Sequence, residues 1–165
     1  MKIVLLLIFW SLAFVSNPSY GATSEPMAIK SAFVFKFTSF IEFPNESHAY
    51  KVGFLGSQKS FSLFSHAFET NDKSGSTFDL IYIEKKSDLS SLDILYVESS
   101  HFPSDVSKVK ALIISEEMNG LEKGAAINFL LIDDSIRFEI DMIKSQKMGF
   151  KINSRLLNLA KRVIH

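Results

Sequence analysis

Four histidines, His48, His66, His101 and His165, are the side chains here best suited to proton transfer or metal ligation, and they are scattered along the chain. Only His101 has an acid close in sequence, Glu98, three residues before it. A hydrolase would have to rest on that pair. A metal site needs three or four converging ligands, and no such spacing is present. Cysteine is absent, which excludes thiol nucleophiles, thiolate metal ligands, disulfides and lipid attachment at a cysteine. The many serines include no G-x-S-x-G elbow. Gly53 and Gly56 flank Phe54-Leu55 without the spacing of a dinucleotide or P-loop motif, so Gly56 reads as a turn after a strand. Asp133-Asp134 is an acidic pair, but two acids and a serine between apolar runs are ordinary hairpin-turn residues. Neither catalytic residues, nor a metal, nor a cofactor is expected.

The elements that hold these residues start after an export signal. Lys2 precedes an apolar run from Ile3 to Val15 that breaks at Asn17-Pro18 into "SYGAT". That run is 13 residues with Ser11 inside it, too short for a spanning helix of about 20, and it reads as a secretory signal peptide, residues 1–21, cleaved near Gly21 or Ala22. Residues 22–165 then form one domain. About 144 residues bury roughly 68–70% of their unfolded surface, so packing alone stabilises the fold. Charge is balanced overall, with 18 bases and 18 acids, yet the six Lys and Arg between Met142 and His165 face no acid there. This basic end is a solvated face or a binding surface. Nothing in it suggests nucleic acid.

Ser24 and Pro26 announce a helix that leads into "KSAFVFKFTSFIEFP", Lys30 to Pro44, which holds five of the sixteen phenylalanines. Its composition fits a membrane anchor, a cofactor box or a core helix. Counting about 100° per residue from Ile29, Phe33, Phe37 and Phe40 share its face, with Lys36 inside the stripe, Phe35 outside it, and Pro44 as the stop. "YKVGFLGS" reads as a strand and "KSFSLFSHAFE" as a helix with Phe61, Phe64, Ala67 and Phe68 on one side. "TFDLIYIE", "LDILYVES" and "ALIISEE" read as further strands, with a helix over Pro103–Lys110. "AAINFLLIDDSIRFEID" is two strands around Asp133-Asp134-Ser135, an antiparallel hairpin whose second strand alternates Ile136, Phe138 and Ile140 with Arg137 and Glu139. A short helix runs from an Asp141 cap to Gly149. A last helix, capped by Asn153-Ser154, places Leu156, Ala160, Val163 and Ile164 together. The expected fold is α/β: a single domain with a mixed, mostly parallel sheet flanked by helices, a C-terminal antiparallel hairpin and a terminal helix.

Three segments resemble, in order and spacing, the YfiR-like family of periplasmic proteins. Lys30, Ala32, Phe33, Phe37, Phe40, Glu42, Phe43 and Pro44 fit its first pattern. Asn128, Phe129, Arg137, Phe138, Glu139, Gly149, Lys151, Ile152, Leu156, Leu157, Leu159 and Ala160 fit its C-terminal one. "VGFLGSQKSF" and "DILYVESS" follow more loosely. Phe43 stands where tryptophan is common, and the cysteine pairs many members carry are missing.

The resemblance implies a periplasmic regulator, often a homodimer, that binds the periplasmic domain of an inner-membrane diguanylate cyclase and holds it inactive, until an outer-membrane lipoprotein relieves the repression. It implies cyclic di-GMP signalling and no turnover. The Phe-rich stretch is then a core helix, with Phe33, Phe37 and Phe40 on the sheet and Lys36 snorkelling at the stripe's edge. Partner contacts are expected at Phe35, Phe43, Arg137, Glu139, Lys151, Asn153 and Arg155, because aromatic and arginine side chains tend to anchor interfaces. A second reading is a small-molecule binder using the crevice at the strand ends near Gly56 and Glu98, where open α/β sheets take ligands.

Overall fold

The computed structural model describes residues 24–44, 49–72, 78–84 and 89–165; the expected signal peptide and His48 lie outside the described residues. The elements run α1 (Ser24–Thr38), β1 (Ile41–Glu42), β2 (Tyr50–Leu55), α2 (Gln58–Asn71), β3 (Phe78–Tyr82), β4 (Ile94–Val97), β5 (Leu112–Ser115), α3 (Gly120–Lys123), β6 (Ile127–Ile132), β7 (Ser135–Asp141), α4 (Met142–Lys147), β8 (Lys151–Ile152), α5 (Ser154–Leu159) and β9 (Arg162–Ile164). Seven strands form one sheet in the order β3-β2-β4-β5-β6-β7-β9. The first five lie parallel, β7 runs back along β6, and β9 pairs parallel to β7. β1 and β8 make a separate two-stranded corner. The domain is the expected α/β fold with a mixed, mostly parallel sheet.

The central strands β4 and β5 are buried at every position, which is why "ILYV" and "LIIS" are continuous apolar runs rather than alternating ones. One face of the sheet meets α1 and α2. There Phe54, Tyr96, Phe129 and Phe138 pack against Phe37, Phe64 and Phe68. The other face, with Leu55, Leu95, Val97 and Ile113, is covered by Leu89, Leu92, Val109 and Leu121 from the connecting segments and α3.

The Phe-rich stretch is a core helix, but its buried stripe is Met27, Ser31, Val34 and Phe37, while Ile29 is 41% exposed and Lys36 is exposed. The phase differs from the expected one because α1 is covered on two sides. Phe33 and Phe37 meet Phe129 and Phe138 of the hairpin, whereas Phe35 turns to Phe68 of α2 and to Phe78. Ser31, fully buried, lets the two helices approach and donates its hydroxyl to the Phe64 carbonyl at 2.8 Å. α1 also stops at Thr38, whose hydroxyl bonds back to the Phe35 carbonyl, so the chain is extended again at Ile41 before Pro44.

Two expected helices are replaced by other structure. Pro103–Lys110 is a chain of turns, where the Asp105 carboxylate accepts from the Ser107 N–H at 2.8 Å. Such a local bond competes with helical hydrogen bonding, and only Val106 and Val109 are available there to hold an apolar face. The terminal helix ends at Leu159: Ala160 is extended, and Arg162–Ile164 become β9 against Glu139–Asp141. Pairing with an open sheet edge outweighs the helical spacing of Val163 and Ile164. α3 and the Arg162 side chain of β9 also cover the expected wet face of β7, so this strand is buried from Phe138 to Asp141.

Phe37, 2% exposed among three aromatic rings, tests this packing. Phe37→Ala is expected to lower unfolding stability by about 3–5 kcal/mol in urea titration; a near-neutral value would contradict the burial of α1.

Candidate functional site

In an open parallel sheet, ligands bind beyond the carboxyl ends of the strands at the point where the strand order reverses. Here that point lies between β2 and β4, whose next residues are Gly56 and Glu98. Glu98 fills it. One carboxylate oxygen accepts the Ser57 N–H at 2.6 Å, and the other accepts the Ser60 hydroxyl at 2.5 Å. The Glu98 side chain lies so close over Gly56 that a Cβ there would stand 2.6 Å from its Oε2. The N-terminus of α2, capped by Ser57, is therefore already occupied by an anion belonging to the protein.

His101 does not complete a catalytic set with this carboxylate. Its Nδ1 is 3.9 Å from Glu98 Oε2 and 3.0 Å from the Ser99 carbonyl oxygen. A nucleophile–base–acid relay needs the imidazole between hydroxyl and carboxylate. In this cluster the carboxylate stands between Ser60 and His101, the wrong order. Among the described residues, no three His, Asp or Glu side chains converge as a metal site.

The neighbouring strand end holds two more acids. Glu116 pairs with Lys30 of α1 in a half-buried contact. Glu117 accepts from Lys123 Nζ at 2.8 Å and from the Ser100 N–H at 2.7 Å. The Lys123 hydrogen bond first, and the Ser100 bond after it, hold the Glu117 carboxyl below its ordinary range. Behind them, burial foremost and then the charge of Glu116 push the Tyr96 phenol well up, so it stays neutral beside Met27. The strand-end carboxylates are thus spent on internal partners.

A second polar chain crosses the sheet. The Ser115 hydroxyl bonds Asn128 Oδ1 at 2.5 Å, Asn128 Nδ2 reaches Glu139 Oε1 at 3.4 Å, and Arg162 grips Glu139 Oε2 through Nε at 2.8 Å and Nη2 at 2.6 Å. This links β5, β6, β7 and β9. Glu139 is 4% exposed, so it belongs to this internal chain. The two-pronged contact with Glu139 raises the Arg162 guanidinium above its ordinary value.

The expected contact residues do not form one patch. Arg137 is exposed on the hairpin, across from Leu130. Lys151, Asn153 and Arg155 are exposed together at the β8–α5 corner, where Lys151 Nζ meets Glu42 at 3.1 Å and Asn153 Oδ1 caps α5 through the Arg155 N–H at 2.9 Å. Phe35 is half-buried against Phe68 and Phe78. Phe43, also half-buried, stacks on Tyr50 at 4.4 Å and meets Phe150 edge-on. Sequence reasoning passed over Lys30–Glu116 and Glu139–Arg162, whose members lie far apart in the chain. Its only signal for them was a lysine and a glutamate inside apolar runs. Among the described residues, no helix is long and apolar enough to cross a membrane.

The family model of the YfiR/HmsC-like proteins matches residues 27–161. No curated protein matches the chain. Solved structures that share its fold include a conserved domain protein from Vibrio cholerae O1 biovar El Tor, at TM-score 0.54 and 10% identity, and the ABC domain in complex with L-Trp from Streptococcus pneumonia, at TM-score 0.53 and 14% identity. Each alignment covers 84% of this chain and 60% of the other, so the chain spans about three-fifths of their length.

Two measurements test the polar clusters. A Cβ at Gly120 would lie 2.2 Å from Asn128 Oδ1 and 2.3 Å from Ser115 Oγ, so Gly120→Ala should destabilise by about 1–3 kcal/mol in urea; an unchanged midpoint would mean the chain is loose. Because the folded Glu117 carboxyl lies below its ordinary value of 4.5, its stabilisation is present above that value and lost as pH falls through the folded one. Glu117→Gln should flatten the fall in the urea midpoint between about pH 5 and pH 3, and an identical slope would remove this assignment.

Proposed function

The chain belongs to the YfiR/HmsC-like family, and from that premise we propose that it is a periplasmic regulatory binding protein that represses an inner-membrane diguanylate cyclase by direct contact with the cyclase's periplasmic domain. In this reading the signal peptide is cleaved near Gly21 or Ala22, the exported domain acts as a homodimer, and an outer-membrane lipoprotein relieves the repression. The observation that carries it is Glu98. The crevice where this class of sheet takes a small ligand is filled by the protein's own carboxylate, and the remaining strand-end acids are paired with Lys30 and Lys123. With that crevice internally occupied, contact through the surface is the reading we favour. The exposed corner of Lys151, Asn153 and Arg155, with Arg137 on the hairpin, supplies charged groups for such contact, and Phe43 lies beside that corner against Phe150.

A second reading has its own support in a cleft of about 520 Å³ lined by Pro44, Ser90, Asp93, Lys110, Lys147 and Phe150. Its size falls in the range of ligand pockets, about 300–1,000 Å³, and it pairs two lysines with an acid. This cleft, rather than the filled crevice, is where a small periplasmic ligand would go. A thermal-shift screen starting with L-Trp, the ligand of one fold neighbour, tests it, since a ligand at 100 times its dissociation constant adds about 2.7 kcal/mol.

Cellular cyclic di-GMP in matched strains decides the first reading. Deleting the gene should raise it, and a gene lacking residues 1–21 should fail to bring it back. Unchanged cyclic di-GMP on deletion would end the cyclase reading and leave the ligand screen as the next step.

A further inference from the structure

The apolar face of the β6–β7 hairpin does not end where its cover ends. Ile127 pairs with Ile140 and Phe129 with Phe138, all buried under α1, and the next pair on the same face is Leu131 with Ile136. Ile136 is half-buried, and Leu131 is 71% exposed. Above them the first turns of α1 present Pro26 and Ile29, both exposed. Between helix and hairpin run two adjoining clefts of about 460 and 260 Å³ that share Pro26, Leu131 and Ile136. The result is a groove with apolar walls at the far end of the core.

Two further features define what fits it. β5 pairs with β6 only as far as Asn128, so among the described residues no strand lies beside 129–132 on that edge, and the second cleft runs along it at Leu130. A free strand edge with alternating pockets is how sheets accept an extended peptide. The rim is acidic. Glu25 and Asp134 line the groove and Asp133 adjoins it at the tip, all three exposed. Glu116 lies on its floor already neutralised by Lys30, and Arg137 points from the opposite face of the hairpin. An acidic rim repels the anionic headgroups of a membrane surface and favours a cationic partner.

We propose that this groove between α1 and the β6–β7 hairpin binds an extended partner segment that alternates apolar side chains with lysine or arginine, the backbone pairing along residues 129–132. As an account of where a partner docks, this rests on the regulatory reading above. A second copy of the chain is the competing occupant, because its C-terminal end carries the 68% exposed Leu159 near Lys161. Such a head-to-tail contact uses two different surfaces and grows into open chains unless its rotation closes.

The probe is a short labelled peptide alternating valine and lysine, titrated by fluorescence anisotropy against the protein purified from its full-length gene. Leu131→Asp, on an exposed side chain, should weaken binding by about tenfold or more, and Glu25→Gln with Asp134→Asn by a smaller factor that disappears at high salt. Asparagine keeps the left-handed turn at Asp134, where φ is 55°. Circular dichroism and melting of each variant should match the parent. The proposal falls if the peptide does not bind, if a glutamate-for-lysine version binds as well, if these variants leave binding unchanged, or if light scattering shows concentration-dependent chains that Leu131→Asp dissolves. Cyclic di-GMP in the Leu131→Asp strain separates the two ideas. A rise equal to that on gene deletion supports both, whereas a rise on deletion alone keeps the regulator and rejects the groove as its docking surface. Peptide binding lost in Leu131→Asp, with no response to deletion, keeps the groove and rejects the cyclase.

Discussion

Everything else in the domain is arranged around α1 being held from two directions. Phe37 lies stacked on Phe129 at 5.8 Å and edge-on to Phe138 at 4.9 Å, while Phe35 on the same helix meets Phe68 of α2 edge-on at 5.5 Å. Aromatic pairs of this geometry add about 0.5–1.5 kcal/mol each beyond the area they bury. With no cysteine to cross-link the chain, these contacts join the helical layer to the C-terminal hairpin, two parts of the sequence about a hundred residues apart. The hairpin in turn carries β9 on its outer edge.

Polar groups decide how that hairpin sits. Apolar packing is nearly indifferent to small slides, whereas the chain from Ser115 through Asn128 and Glu139 to Arg162 has one register in which every member is bonded. Every buried side-chain nitrogen and oxygen among the described residues has a partner. A carboxylate 4% exposed costs several kcal/mol to desolvate unless it is paired, so Glu139 requires Arg162 beside it. This requirement pulls the end of the chain into the sheet.

The same economy shapes function. At the strand ends the protein satisfies its own anions and its own helix terminus, which leaves little for a small ligand at the switch point. What lies exposed on the outside is apolar side chains at Ile29 and Leu131, a strand edge on β6, and a corner where Arg155 stands beside the Lys151–Glu42 ion pair.

The sequence by itself determined the strands, because β2, β4, β5 and β6 are apolar runs of strand length whose burial needs no information beyond their own residues. It also determined the hairpin turn: Asp133 and Asp134 both take positive φ, at 47° and 55°, as short polar side chains in such turns do. The family pattern was legible too, since it is written in residue types at fixed spacing. Tertiary structure decided the phase of α1, because a helix apolar around most of its circumference leaves periodicity nothing to choose between until α2 and the hairpin cover two particular sides. It decided that Val163 and Ile164 form a strand, since their helical spacing was weaker than the open edge of β7. It also turned Glu139 from an exposed contact into a buried anchor and Glu98 from the wall of a crevice into its plug. Both outcomes depend on partners, Arg162 and Ser60, that only the folded chain brings within hydrogen-bond reach.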